Sequence, residues 1–423
     1  MTLSVPELLS SPESKRSRRA AVTFEGGLDA PFHRWFRLTP SFSPDLVRGW
    51  LSKHGVQPGN LVLEPFAGAG TTNIVARELG IDSIGVEINP FLAFVGQTCV
   101  DWTPNPASLR DACKQAITIA RDSVDSGPLD PEEFAASLND SLPPIHNVSR
   151  WWRDQVLREL VALRNAIGQQ DPSLIGHLKL ALAQIVYSTA NITLGRLQVA
   201  FVDRSKQEIL VFEPFIQMVE KIASDLEKVD TFPEASATIR NGDSTNLDFL
   251  EDGSIDALFT SPPYPNRYSY VWNTRPHLYL LEFFSTAREA TTLDMNTIGG
   301  TWGSATTVLM KGVVEPRPAV EKAAGSVIQR LHEESTLMGN YVTKYFNSMD
   351  LQVAAVRPKL RDGAFVGYVV GNSESKGIMV ETHDILGEIF LANGFDRVEQ
   401  DVLRKRNSGV GLTEVTVSAR ASN

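Results

Sequence analysis

The stretch "NLVLEPFAGAGTTNIVARELGIDSIGVEINP", residues 60–90, decides how the rest of the chain is read. "NLVLEPF" (60–66) is a short apolar strand running into the glycine turn "AGAGTT". "TNIVARELG" (72–80) has helical periodicity and is closed by Gly80, and "DSIGVEINP" (82–90) is a second strand. Strand, glycine turn, helix and strand in so short a span make a βαβ unit. Gly68 and Gly70 sit between strand and helix, the context in which such a pair carries meaning. Glycine there adopts positive φ and lets the backbone approach a ligand closely. Glu87 ends the second strand seventeen residues after Gly70, placed to bind both hydroxyls of a ribose. An adenosine-containing ligand follows. No lysine follows the glycines as in a phosphate-binding loop, and Asn73 stands where a dinucleotide fold carries its third glycine. With no pyrophosphate to cradle, S-adenosylmethionine fits better than a nicotinamide dinucleotide. Asp243, in "RNGDS" after the third core strand, is placed either as a turn residue or to accept from an adenine amino group.

Working outward, "FSPDLVRGWLS" (42–52) reads as a helix with Ser43 as N-cap and Pro44 at the first helical position. Residues 1–30 read as a flexible N-terminal segment and 31–90 as the first part of the core. Residues 91–235 show helical periodicity in "SLRDACKQAITIARDSV", "WWRDQVLRELVALRNAI" and "HLKLALAQIVYSTANI" and read as a large helical insertion. The second part of the core, 236–423, has strand character at 236–242, 255–261 and 363–371, a loop-rich insertion near 285–330, helices near 335–355 and 380–393, and terminal strands near 398–404 and 412–419. Strands alternating with helices imply an α/β fold with a doubly wound, mostly parallel sheet. Such sheets bind ligands at the carboxyl ends of their strands.

The 423 residues are 42% hydrophobic and 21% charged, the balance of an ordinary globular protein. No apolar run long enough to span a membrane and no signal-peptide core is present. Two cysteines, Cys99 and Cys113, fit no disulfide or metal framework, so a cytoplasmic setting and packing roles are expected. A net charge of −10 argues against a uniformly basic surface but leaves room for a basic cleft. The candidate clusters are Lys15, Arg16, Arg18 and Arg19, and then Arg404, Lys405 and Arg406; a solvated tail or face is the simpler account of either.

A second strand end, "DALFTSPPYPNRY" (256–268), carries the chemistry. Proline cannot donate to a sheet ladder, so the strand stops there, and the residue before a proline is held extended. "LEPFAGAGTT", "GVEINP" and "TSPPY" together resemble the amino-methyltransferases of DNA, which methylate exocyclic nitrogens of bases. The Ser-Pro-Pro-Tyr form is similar to the cytosine-N4 branch, and the resemblance covers about 60–90 and 236–420. "FHRWFRLTPSFSPDLV" (32–47) is similar to the family's element closing over the methionine end of the cofactor. The resemblance implies a class I, Rossmann-like, seven-stranded sheet and S-adenosyl-L-methionine held by Glu64, Phe66, Gly68, Gly70, Thr71, Thr72, Glu87, Ile88 and Asp243. It implies catalysis by Ser261, Pro262, Pro263 and Tyr264, without a metal, on a target base flipped out of DNA.

The chemistry accounts for those residues. An exocyclic amine conjugated to a base is a poor nucleophile because its lone pair is delocalised. Accepting hydrogen bonds from both its N–H groups frees the lone pair. The Ser261 hydroxyl and the Pro262 carbonyl are the natural acceptors, held rigid by the double proline. Tyr264 offers a ring face for stacking. Asn266, Arg267, Tyr268 and Tyr270 are candidates to line the base pocket, and Arg196, Arg204 and Lys206 to meet phosphates. The Trp pair of "RWWRD" (150–154) reads as core or as a stacking surface. Cytosine-N4 methylation of DNA in restriction-modification or phage defence is the leading reading. Adenine-N6 methylation, RNA base methylation and a non-catalytic subunit of the same fold stay open, as do a homodimer and a defence-system partner.

Overall fold

The computed structural model describes residues 22–38, 41–194, 199–266, 268–300, 304–406 and 409–422. Lys15, Arg16, Arg18, Arg19, Arg196 and Arg267 lie outside the described residues. Seven strands form the main sheet: β1 Leu61–Glu64, β2 Asp82–Glu87, β3 Ala237–Asn241, β4 Ile255–Thr260, β5 Leu360–Gly371, β6 Phe395–Lys405 and β7 Thr413–Ala421. Their spatial order is β6-β7-β5-β4-β1-β2-β3. The first five are mutually parallel, and β7 runs antiparallel between β5 and β6. This is the doubly wound, mostly parallel seven-stranded α/β sheet that the sequence led one to expect. Its winding reverses at β1, with β2 and β3 on one side and β4 and β5 on the other.

Side-chain alternation explains the layers, because successive strand residues face opposite sides. Val62 of β1 with Ala257 and Phe259 of β4 packs against Leu46, Val47 and Trp50 of the helix Pro44–Lys53. Leu63 and Leu258, one residue on, face the helices Thr336–Val356 and Thr382–Ala392. Ser43 caps the first of these helices, its hydroxyl accepting from the Asp45 N–H at 3.2 Å. In the βαβ unit the close helix–sheet approach is made by a glycine on the strand. A Cβ on Gly85 would stand 2.9 Å from Asn73 Oδ1 and 2.8 Å from Ile239 Cγ1.

The insertion is built of helices, chiefly Pro106–Ser126, Asp154–Gly168, Pro172–Thr189 and Phe212–Leu226, with one small hairpin, Ile192–Leu194 with Val199–Phe201. Its apolar side chains share one buried cluster with Ala67, Ile74 and Ile239 of the sheet half. Cys99, Cys113, Trp151 and Trp152 are all buried there. The fully buried Asp225 latches the N-terminal segment onto this layer. Its carboxylate accepts from Arg34 Nε at 2.8 Å and Nη2 at 2.6 Å, Trp35 Nε1 at 3.0 Å and Lys228 Nζ at 3.0 Å. Burial works to raise its pKa, but Arg34 and Lys228 outweigh that and hold it below the ordinary aspartate range.

Two expectations are corrected. The 285–330 stretch is helical rather than loop-rich, with helices Ala287–Asn296, Ser304–Leu309 and Pro318–Glu334. A Thr286/Glu289 capping box starts the first, and Val320, Ala324, Ile328 and Leu331 give the last a buried face. Gly299, Gly300, Gly312 and Pro316 lie in the connections between these helices. Within the N-terminal segment, Val22 is buried against the Leu46–Trp50 cluster and Thr23 is buried beside it, so the segment is packed at 22–23, whereas Leu28 and Asp29 are exposed.

At the point of reversal Glu64, 1% exposed, joins the two halves of the sheet. One carboxylate oxygen accepts from Thr72 Oγ1 at 2.7 Å. The other accepts from the Phe66 N–H at 3.0 Å and from Thr260 Oγ1. Burial pushes its pKa up to about 7, against the pull of these hydrogen bonds. The stability Glu64 contributes is therefore fully present below its unfolded value near 4.5 and lost as pH rises through about 7. Denaturation at pH 5 and pH 8 is expected to show wild type losing roughly 2 kcal/mol more than Glu64→Gln between the two pH values. An equal loss in both proteins would remove Glu64 as the titrating group.

Candidate active site

β1 and β4 are neighbours, with Val62 beside Ala257 and Leu63 beside Leu258. Their carboxyl ends therefore deliver the glycine turn and the Ser-Pro-Pro-Tyr segment to one place, although nearly two hundred residues separate them. Between them lies a cavity of about 310 Å³. Phe66, Gly68, Thr71, Glu87, Ile88 and Asp243 line one part of it, and Ser261, Pro262, Pro263, Tyr264, Asn266, Tyr268 and Tyr270 the other. Leu38, Ser41 and Phe42 of the N-terminal segment add a further wall.

Glu87 is clamped by backbone. Its Oε2 accepts from the Gly68 N–H at 2.9 Å and its Oε1 from the Asn89 N–H at 2.8 Å. Burial pushes its pKa up, and these bonds oppose the shift. Each oxygen keeps a lone pair for a further donor, and two adjacent hydroxyls match that pair. Asn89 in turn caps the helix Pro90–Cys99 by accepting from the Phe91 N–H at 3.1 Å. Asp243 Oδ1 accepts from Thr245 N and Oγ1, both at 2.8 Å, so one oxygen builds a turn. Its other oxygen is at the cavity rim with no bond to a described residue.

At the second strand end, the Ser261 hydroxyl donates to the Val369 carbonyl at 3.0 Å, continuing the β4–β5 register past Thr260 and Tyr368. With its proton engaged, its lone pairs are presented as acceptors. The Pro263 carbonyl accepts from Tyr345 Oη at 2.8 Å, which fixes the double proline. Among the described residues none donates to the Pro262 carbonyl. Tyr264 Oη donates to Glu414 Oε1 at 2.8 Å, and Glu414 Oε2 accepts from Arg404 Nε at 2.6 Å. Burial and the adjacent Glu414 hold the Tyr264 phenol neutral, far above its ordinary pKa. Arg406 lies over its ring, 5.4 Å from the centroid.

Several candidates do not reach the cavity. Glu64 and Thr72 are buried beneath it in the joint between β1 and β4. Gly70 opens the helix Thr71–Glu78 at φ +84°, where a Cβ would stand 2.9 Å from Ile239 Cδ1 and 3.4 Å from Gly96 Cα. Its missing side chain serves helix–sheet packing. Arg204 donates to the Ser188 and Ile192 carbonyls at 2.7 Å, tying the small hairpin to its helix, and Lys206 is exposed away from the cavity. Conversely, Asn89, Asn296, Thr297, Arg404, Arg406 and Glu414 line the cavity without having been singled out as site residues. The Arg404–Arg406 charge cluster was visible in the sequence. Glu414, 150 residues from Tyr264, had no local signal.

The cavity fits S-adenosylmethionine. The clamped Glu87 suits its ribose, the free Asp243 oxygen its adenine amine, and the Phe42, Phe66 and Ile88 surfaces its apolar parts. No group of three or more His, Cys, Asp or Glu among the described residues could hold a metal ion. No described helix is long and apolar enough to cross a membrane.

Residues 37–94 match a family model described as DNA methylase. The chain is 25% identical over 281 residues to the Type II methyltransferase M.BsoBI of Geobacillus stearothermophilus, across 61% of this chain and 54% of that protein. It is 32% identical over 83 residues to M.AvaI of Nostoc sp., across 20% of this chain and 16% of that one. It is 39% identical over 56 residues to M.MjaII of Methanocaldococcus jannaschii, across 13% of this chain and 10% of that one. The chain thus spans about half the length of the first of these relatives. Likeness to methyltransferases implies S-adenosylmethionine as donor, in agreement with the cavity. The matched turn, the related sequences and the two strand ends meeting at one cavity make the chain similar to the amino-methyltransferases of DNA.

Proposed function

We propose that this protein methylates the exocyclic N4 amine of cytosine in DNA, as the modification activity of a restriction-modification or defence system. The observation that supports this reading is that Ser261 and Pro262, at the end of β4, line the same cavity as Glu87 and that no described residue donates to the Pro262 carbonyl. The relatives being Type II methyltransferases supports a DNA substrate. The serine that opens the Ser-Pro-Pro-Tyr motif supports cytosine over adenine.

In this reading Glu87 and Asp243 hold the donor and the turn at Gly68 lets it approach the backbone. S-adenosylmethionine supplies a methyl group on a cationic sulfur, so the leaving group is neutral and no metal is required. Ser261 and Pro262 each accept one hydrogen bond from the target amine, concentrating its lone pair toward that methyl. Tyr345 and the double proline keep the Pro262 carbonyl from turning away, which is preorganisation of an acceptor. Tyr264, held by Glu414, stacks on the flipped base, and the half-buried Tyr268 and Tyr270 line the rest of its pocket.

The deciding experiment is transfer of labelled methyl from S-adenosylmethionine to mixed DNA and to total RNA, with the modified nucleosides identified by mass. N4-methylcytosine in DNA is expected; N6-methyladenine or label in RNA would overturn the substrate. Ser261→Ala is expected to retain donor binding and lose about a hundredfold in turnover, the cost of one preorganised hydrogen-bonding group; turnover equal to wild type would exclude Ser261 from the reaction. Glu87→Ala is expected to weaken S-adenosylmethionine binding in calorimetry by about tenfold or more, the cost of unpaired ribose hydroxyls. Unchanged affinity would place the ribose elsewhere.

A further inference from the structure

We infer that Arg406 is an anchor for a phosphodiester flanking the flipped base, an inference that rests on the proposed DNA substrate. Three cations fall in the "LRKR" stretch at the end of β6, and the fold treats them differently. Arg404 is neutralised by Glu414, which it meets at 2.6 Å. Lys405 is exposed. Arg406 turns into the cavity wall beside the catalytic segment, with its Nη1 donating to the Asn372 carbonyl at 2.9 Å and its guanidinium over Tyr264.

Among the described residues no carboxylate lies within ion-pairing distance of Arg406, and neither its Nε nor its Nη2 has an acceptor. Glu414, the acidic group on the same wall, is occupied on both oxygens by Tyr264 and Arg404. The result is one uncompensated, oriented guanidinium in a cavity of a protein whose net charge is −10. Gly371 admits it there: a Cβ on that residue would stand 2.7 Å from Arg406 Nη1 and 2.9 Å from Tyr264 Cε2. A planar fork with donors to spare suits a phosphate. In the proposed reading the flipped base brings its flanking phosphates near Tyr264, and Arg406 is the cation that lies over that ring. The adenosyl end of the donor, by contrast, belongs with Glu87 and Asp243.

The test measures equilibrium binding of the full chain to a short labelled duplex with one mismatched cytosine, where extrusion of the base is easiest, over a salt series. Wild type, Arg406→Gln and Arg406→Lys are compared, with S-adenosylmethionine affinity measured alongside by calorimetry. Arg406→Gln is expected to reduce the slope of log K against log salt by about 0.9, the signature of one lost phosphate contact. Arg406→Lys is expected to keep the slope, and donor affinity to stay constant in both. An unchanged slope in Arg406→Gln overturns the assignment. So does a slope that Lys fails to restore, which makes Arg406 a packing support for Tyr264. Weakened donor binding with unaltered DNA binding gives the anion site to the carboxylate of the methyl donor instead. Absence of DNA binding and of DNA methylation in wild type removes the proposed function and this anchor together; normal DNA methylation with an unaltered slope in Arg406→Gln removes the anchor alone.

Discussion

One buried carboxylate holds the working parts of this molecule in register. Glu64 sits at the last position of β1, where the sheet reverses its direction of winding, and accepts from the turn, from the following helix and from the end of β4. A carboxylate so deeply buried is costly unless its hydrogen bonds are made. The cost enforces the arrangement: the turn, the helix start and the strand end must all arrive for the carboxylate to be satisfied. The glycine-turn wall and the Ser-Pro-Pro-Tyr wall of the cavity are thereby fixed relative to each other through a group that lines neither.

The same economy of design appears around Tyr264. The motif supplies the ring, but its placement depends on Glu414 from β7, Arg404 from β6 and the absent side chain of Gly371 at the end of β5. The antiparallel strand β7, inserted between β5 and β6, is what carries Glu414 to the Ser-Pro-Pro-Tyr segment. On the opposite side, Asp225 fastens the N-terminal segment to the insertion, and that segment continues into Leu38, Ser41 and Phe42 at the cavity. The helical insertion thus serves the site by positioning one of its walls, in addition to any part it takes in target recognition.

Much was legible in the sequence because its signals are local. A glycine turn between strand and helix, an acid at the end of the next strand and a double proline at a strand end are each fixed by backbone constraints within a few residues. Ser43 as a cap and the helical period of the insertion are of the same kind. The 285–330 helices were obscured because their apolar positions are diluted by glycine and proline in the connections. Arg204 read as a phosphate contact because charge is visible in sequence, whereas the carbonyls that consume its donors are not.

The sequence by itself determined the alternation of strands and helices, the glycine turn followed by Glu87 at a strand end, and the strand-ending Ser-Pro-Pro-Tyr. Tertiary structure alone decided that the two strand ends share one cavity, because pairing of β1 with β4 is a contact between distant segments. It also separated residues that line that cavity from residues that support it: Glu87 from Glu64, Gly68 from Gly70, Arg406 from Arg404. Each pair is alike in chemistry and close in sequence or motif. What divides them is which face of a strand or turn points outward and which neighbour from far along the chain has already taken the hydrogen bond.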